Sequence, residues 1–151
     1  MLSAANLAPS WKNSQTPRFY VATGEKSKNA VREALPEFNR KNSENASAYI
    51  VTTVVLNRSG FDKDGTAVTE IGNGWAYYDL GLNNMALLLK ATELGISTLV
   101  MGIRDGEKLR KEFDIPETEA VVSVIAVGYT DSEIVRPKRK SLEDFAKFYE
   151  E

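Results

Sequence analysis

Ala48-Tyr49-Ile50-Val51-Thr52-Thr53-Val54-Val55-Leu56 is the strongest strand signal in the chain. A run that apolar and that β-branched reads as a central strand buried on both faces. Glu119-Ala120-Val121-Val122-Ser123-Val124-Ile125-Ala126-Val127-Gly128-Tyr129 repeats the signal as a second buried strand. Arg18 to Ala22 and Ile96 to Met101 read as two further strands. Ahead of the central strand, Gly24 turns the chain into a helix from about Lys26 to Arg40. Its residues Ala30, Val31, Ala34, Leu35 and Phe38 form one apolar stripe, and Pro36 within it predicts a break or kink. After the central strand, residues 57–74 read as a long, polar, mobile loop with a turn at Asp62-Lys63-Asp64-Gly65. A helix from Trp75 to Glu93 follows and stops at Gly95. Tyr77, Tyr78, Leu80, Leu82, Met85, Leu87, Leu88 and Leu89 make it apolar on nearly every face, so it is expected to be surrounded by protein. In a chain this small, part of that surround is expected from a second subunit.

The ends are shorter readings. Leu2, Ala4, Ala5, Leu7 and Ala8 look like the last turns of a helix stopped at Pro9, as if the chain began within an element. Asp105 to Phe113 reads as a short helix, and Leu142, Phe145, Phe148 and Tyr149 recur at helical spacing. Strands and helices alternate without repeats or linkers. The 151 residues therefore read as one α+β domain over 1–151 with a mixed, mainly antiparallel sheet flanked by helices.

Composition narrows the chemistry. Lysine and arginine number 19 against 21 acids, a formal charge of −2, which provides no general basic field for nucleic acid. Histidine and cysteine are both absent. That excludes a Ser-His-Asp triad, imidazole acid–base chemistry, thiolate nucleophiles, disulfides and iron–sulfur ligation. Any enzyme here uses carboxylates, lysine, tyrosine or serine, or lets a cofactor carry the chemistry. No run reaches the ~18 apolar residues of a membrane span, and the N-terminus lacks a signal-peptide pattern. No membrane association and a cytoplasmic location are expected.

Three motif fragments fail on spacing. Gly24-Glu25-Lys26-Ser27 ends like a phosphate loop, but Phe19 stands where the first glycine belongs. Gly72-Asn73-Gly74 has Tyr77 in place of the third glycine of a dinucleotide fingerprint. Asp62-Lys63-Asp64 opens like a calcium loop, with Ala67 and Asn73 at the positions that need glycine and glutamate.

Three other segments carry more. Ala8-Pro9-Ser10-Trp11-Lys12-Asn13-Ser14-Gln15-Thr16-Pro17 packs amides and hydroxyls into one loop, suited to the donors and acceptors of a heteroaromatic edge. The plain alternative is a polar connection in which Ser10 and Asn13 bond local backbone. Leu99-Val100-Met101-Gly102-Ile103 ends a strand at a glycine, either an ordinary turn or a place where a flat ligand approaches the backbone. Arg136-Pro137-Lys138-Arg139-Lys140 is either a solvated face or a phosphate-binding cluster.

Together these segments resemble the nitroreductase family of flavin-dependent oxidoreductases. The resemblance rests on Pro9-Ser10-Trp11-Lys12-Asn13-Ser14-Gln15, on Leu94-Gly95-Ile96 with Gly102 beyond it, on Val127-Gly128-Tyr129, and on Lys138-Arg139-Lys140-Ser141-Leu142. It implies a homodimer with FMN at the subunit interface, reduced by NADH or NADPH, and the Trp75 helix as the dimer helix. Pro9, Ser10, Trp11 and Asn13 match the loop that lines the flavin, usually from the partner subunit. Asn39 matches an asparagine on the pyrimidine edge, and Met101 and Gly102 match the backbone under the ring. Lys138 and Lys140 match the basic pair on the phosphate.

The implied activity passes electrons from NAD(P)H to nitroaromatic, quinone or similar electron-poor acceptors. No side chain serves as nucleophile, so none is assigned as catalytic. Members of the family usually carry a further N-terminal helix with an Arg-Arg-Ser-x-Arg-like run, which would precede Met1 here. Thr16-Pro17 also stands where Pro-Trp is commoner. These departures give the alternative: a non-catalytic dimeric scaffold or ligand-binding module with an impaired flavin site.

Overall fold

Four strands form, as the apolar runs require: β1 (Pro17–Ala22), β2 (Ala48–Val55), β3 (Ser97–Met101) and β4 (Glu119–Gly128). The structure is a computed structural model and describes residues 1–133 and 135–149. Ile134, Glu150 and Glu151, part of the domain expected over 1–151, lie outside the described residues. The strands pair in the order β1-β2-β4-β3, and every pairing among them is antiparallel. The two most apolar runs thus take the centre, where both faces are covered.

Helices cover both faces of this sheet. On one side α2 (Glu25–Glu33) and α5 (Gly106–Glu112), with α3 (Glu37–Asn42) following Leu35, cover a core in which Val31, Leu35 and Leu109 meet Tyr49, Val51, Val121 and Val124. On the other, α1 (Leu2–Ala5) and α4 (Gly74–Glu93) pack Ala5, Leu80 and Leu87 onto Ile50, Val54 and Ile125. Val121 and Val124 face the same core although strict alternation would put residues three apart on opposite faces. The register shift between Thr52 and Thr53 opposite them supplies the extra residue, a β-bulge that restores the facing.

Proline and glycine punctuation behaves as expected. Pro36 divides the helical run, standing at the N-cap of α3 in an extended conformation, because it lacks the amide the helix needs. Gly95, at φ 70°, ends α4 with Ile96 N–H on the Ala91 carbonyl at 2.8 Å and Gly95 N–H on that of Thr92 at 3.0 Å. That is a Schellman end. The tail departs from expectation. Only Leu142–Phe145 is helical (α6), while Phe145, Phe148 and Tyr149 are exposed. A short segment without a packing partner does not sustain a helix. No helix of the described residues is long and apolar enough to cross a membrane.

Candidate functional site

The expected site residues fall into separate groups. The first is the connection from α1 to β1. Pro9 has no amide with which to extend α1, and Trp11–Asn13 form a single 3-10 turn beyond it. Lys12, Asn13 and Gln15 adopt φ of 45°, 55° and 50°, a left-handed backbone that side chains other than glycine rarely take. Ser10 stands at the N-cap of this turn without capping it. Its Oγ instead accepts the Gln15 N–H at 3.0 Å, the local backbone bond that was the plain alternative for that residue.

The amide left over, Trp11 N–H, is met from α4. It donates to Oδ1 and Oδ2 of Asp79 at 3.1 and 3.2 Å. Ser59 Oγ donates to Oδ2 at 2.6 Å and Ser14 Oγ lies 3.5 Å from it. The Asp79 side chain is 1% exposed, so one buried carboxylate joins the 11–15 turn, the 57–74 segment and α4. Aromatic packing runs alongside: the Trp11 ring lies 4.5 Å from Trp75, tilted by 45°, and Trp75 lies 5.7 Å from Tyr78 in an edge-to-face arrangement. The indole of Trp75 donates to Thr69 Oγ1 at 2.8 Å, and Lys12 pairs with Asp62 across the surface. The 57–74 segment is thereby attached to the site rather than trailing from it.

Below this turn, between α1, β1 and α4, a cleft of ≈ 360 Å³ is lined by Asn6, Ser10, Gln15, Arg18, Phe19 and Asn83 among others. It offers hydroxyl, amide and guanidinium groups beside apolar walls. The Arg18 guanidinium is held against the Gln15 and Pro17 carbonyls at 2.7 and 2.8 Å. Ser10 brings the expected loop to this cleft, while Pro9, Trp11 and Asn13 lie outside its lining.

Asn39, Met101 and Gly102 form the second group. The Asn39 side-chain amide donates to the Ile103 carbonyl at 3.1 Å, and Asp105 N–H donates to the Ala34 carbonyl at 2.7 Å. These bonds seat the 102–105 turn on the α2–α3 corner. Met101 is buried beneath, whereas a side chain at Gly102 would meet open space. The backbone there is accessible to a flat partner. Asn39 keeps its Oδ1 and a second N–H for such a partner.

The two groups sit at opposite edges of the sheet, since β1 and β3 are its outer strands. Three strand spacings put those edges about 14 Å apart. Lys138 and Lys140 are exposed beyond the end of β4, with no ion pair among the described residues. One chain therefore brings Asn39 to Met101 and Gly102 but leaves the Ser10 loop at the other sheet edge.

Sequence reasoning missed Asp79 and Asn83. The available signal was Asp79, Asn83 and Asn84 set among the apolar residues of the helix, since burial of a polar side chain demands a partner. Asn83, also buried, donates to the Asp79 carbonyl at 3.0 Å.

The Nitroreductase family model matches residues 1–129. A comparison with curated proteins finds no match. Among solved structures, the chain is similar to an oxidoreductase containing FMN, at 26% identity and TM-score 0.78 over 97% of this chain and 77% of that one. It is similar to CLA-ER, an enone reductase of gut-bacterial fatty acid saturation, at 20% identity and TM-score 0.83 over 97% and 83%. A Bacteroides thetaiotaomicron protein assigned as an NADH dehydrogenase/NAD(P)H nitroreductase aligns at 22% identity and TM-score 0.73 over 97% and 80%. At their lower identities, the latter two establish likeness of fold alone.

Proposed function

The chain belongs to the nitroreductase family, and from that premise we propose that it is an FMN-dependent oxidoreductase passing electrons from NADH or NADPH to nitroaromatic, quinone or similar electron-poor acceptors. The observation that carries this reading is the match over residues 1–129, which takes in the Ser10 loop and the Asn39–Gly102 group together. The similar FMN-containing oxidoreductase supports the cofactor, and the Bacteroides protein's assignment supports the nicotinamide donor.

The donor set fits FMN. The flat, open backbone at Gly102 admits an aromatic ring, and the free oxygen and N–H of Asn39 match the alternating edge of a pyrimidine. Lys138 and Lys140 supply charge-assisted bonds to a phosphate. When bound, FMN supplies the hydride and electron chemistry for which this chain has no histidine or cysteine. The protein's own part is to bind, orient and exclude water: Asn39 fixes the ring edge, Met101 backs the turn, and Pro9, Ser10, Trp11 and Asn13 form the opposite wall.

That wall comes from a second copy of the chain in this reading, because the two groups occupy opposite sheet edges. Helix α4 supports a homodimer. Tyr78, Met85 and Leu89 are 59%, 51% and 59% exposed along one face, and a stripe of that kind marks an interface. A side chain at Gly81, on the same face, would meet open space.

Titration with FMN tests the proposal. The purified protein is expected to bind FMN, show a flavin absorption spectrum and bleach anaerobically with NADH or NADPH. A folded dimer that leaves added FMN free would overturn it in favour of a non-catalytic scaffold.

A further inference from the structure

The Trp11–Gln15 turn holds three non-glycine residues in left-handed backbone, a state that persists only where the surroundings over-determine it. Its own cap is missing: Ser10 Oγ is turned to Gln15, and the first amide of the turn would otherwise be an orphan. Asp79 takes that amide with both oxygens and also receives Ser59 and Ser14. No lysine or arginine pairs with this carboxylate among the described residues, so hydrogen bonds alone answer its buried charge.

We infer that Asp79 is a positioning residue for the cofactor wall, capping the Trp11 turn from α4 and so holding Ser10, Trp11 and Asn13 in binding geometry. The part concerning FMN rests on the function proposed above; the part concerning the turn does not. Two of the three groups tied to the carboxylate lie on the turn, and Ser59 brings the 57–74 segment to the same point. The closely packed, mutually tilted Trp11 and Trp75 rings give the turn a spectroscopic reporter that needs no cofactor.

The test uses Asp79→Ala and Asp79→Asn in the full chain. In cofactor-free protein, Asp79→Ala is expected to collapse the near-ultraviolet circular dichroism of the tryptophan pair while the far-ultraviolet spectrum stays native. Its FMN affinity is expected to fall about tenfold, equivalent to ~1.4 kcal/mol. Asp79→Asn keeps one oxygen for the Trp11 amide and is expected to recover most of both signals. A folded Asp79→Ala protein with native tryptophan dichroism overturns the assignment. Should Asp79→Ala not fold, Asp79→Leu, close to it in shape and unable to accept the Trp11 amide, takes its place, and native tryptophan dichroism there overturns the assignment equally. If the unmodified chain takes up no FMN, the flavin reading falls, while the tryptophan spectrum still decides the role of Asp79.

Discussion

Tyr20 donates its hydroxyl to Glu119 Oε2 at 2.9 Å, and Thr53 donates to the same oxygen. Burial and then the Glu119 carboxylate push the Tyr20 phenol up to about 12 from 10.0. Both effects disfavour a phenolate. In the unfolded chain the phenol ionises near 10, so the contribution to stability is full below that pH. It is lost as pH rises toward about 12. Denaturant melts across this window should show falling stability, and Tyr20→Phe should remove that part of the pH dependence. A native-like slope in Tyr20→Phe would exclude this assignment. The partner of neither Tyr20 nor Asp79 is readable in the sequence, because each lies more than sixty positions away.

At the level of elements, caps and breaks were legible because they are local. Pro36 divides a helix and Gly95 ends one for reasons carried by the residue itself. Asp105 belongs with them. Its side chain accepts the Lys108 N–H at 3.0 Å at the start of α5, and α5 carries Leu109 into the core. Asp105→Ala should cost about 1 kcal/mol, read as a lower urea midpoint with the slope of unfolding unchanged. The β4 bulge was not legible. It exists only relative to β2, and a chain of alternating and consecutive apolar residues does not show which neighbour it will face. The tail was overread for the same reason: apolar spacing in Leu142, Phe145, Phe148 and Tyr149 forms a helix only against a surface.

The whole molecule leaves the α4 stripe uncovered and divides the expected site residues between opposite sheet edges. If two copies pair through α4, losing the pair and losing the cofactor should coincide. Leu89→Glu places a charge on the exposed stripe without entering the core. It is expected to yield folded monomers by light scattering, with FMN affinity down by more than about tenfold. A dimer that binds FMN normally would place the interface elsewhere. The strands, the long helix, its glycine end and the exclusion of histidine and cysteine chemistry were determined by sequence alone, since hydrophobic pattern, turn chemistry and composition are properties of neighbouring or counted residues. Asp79 beneath Trp11, the Asn39–Ile103 bond and the separation of the expected site residues into groups at opposite sheet edges were decided only by tertiary structure. Those facts depend on which distant segments meet, and burial then sets the strength of every polar contact between them.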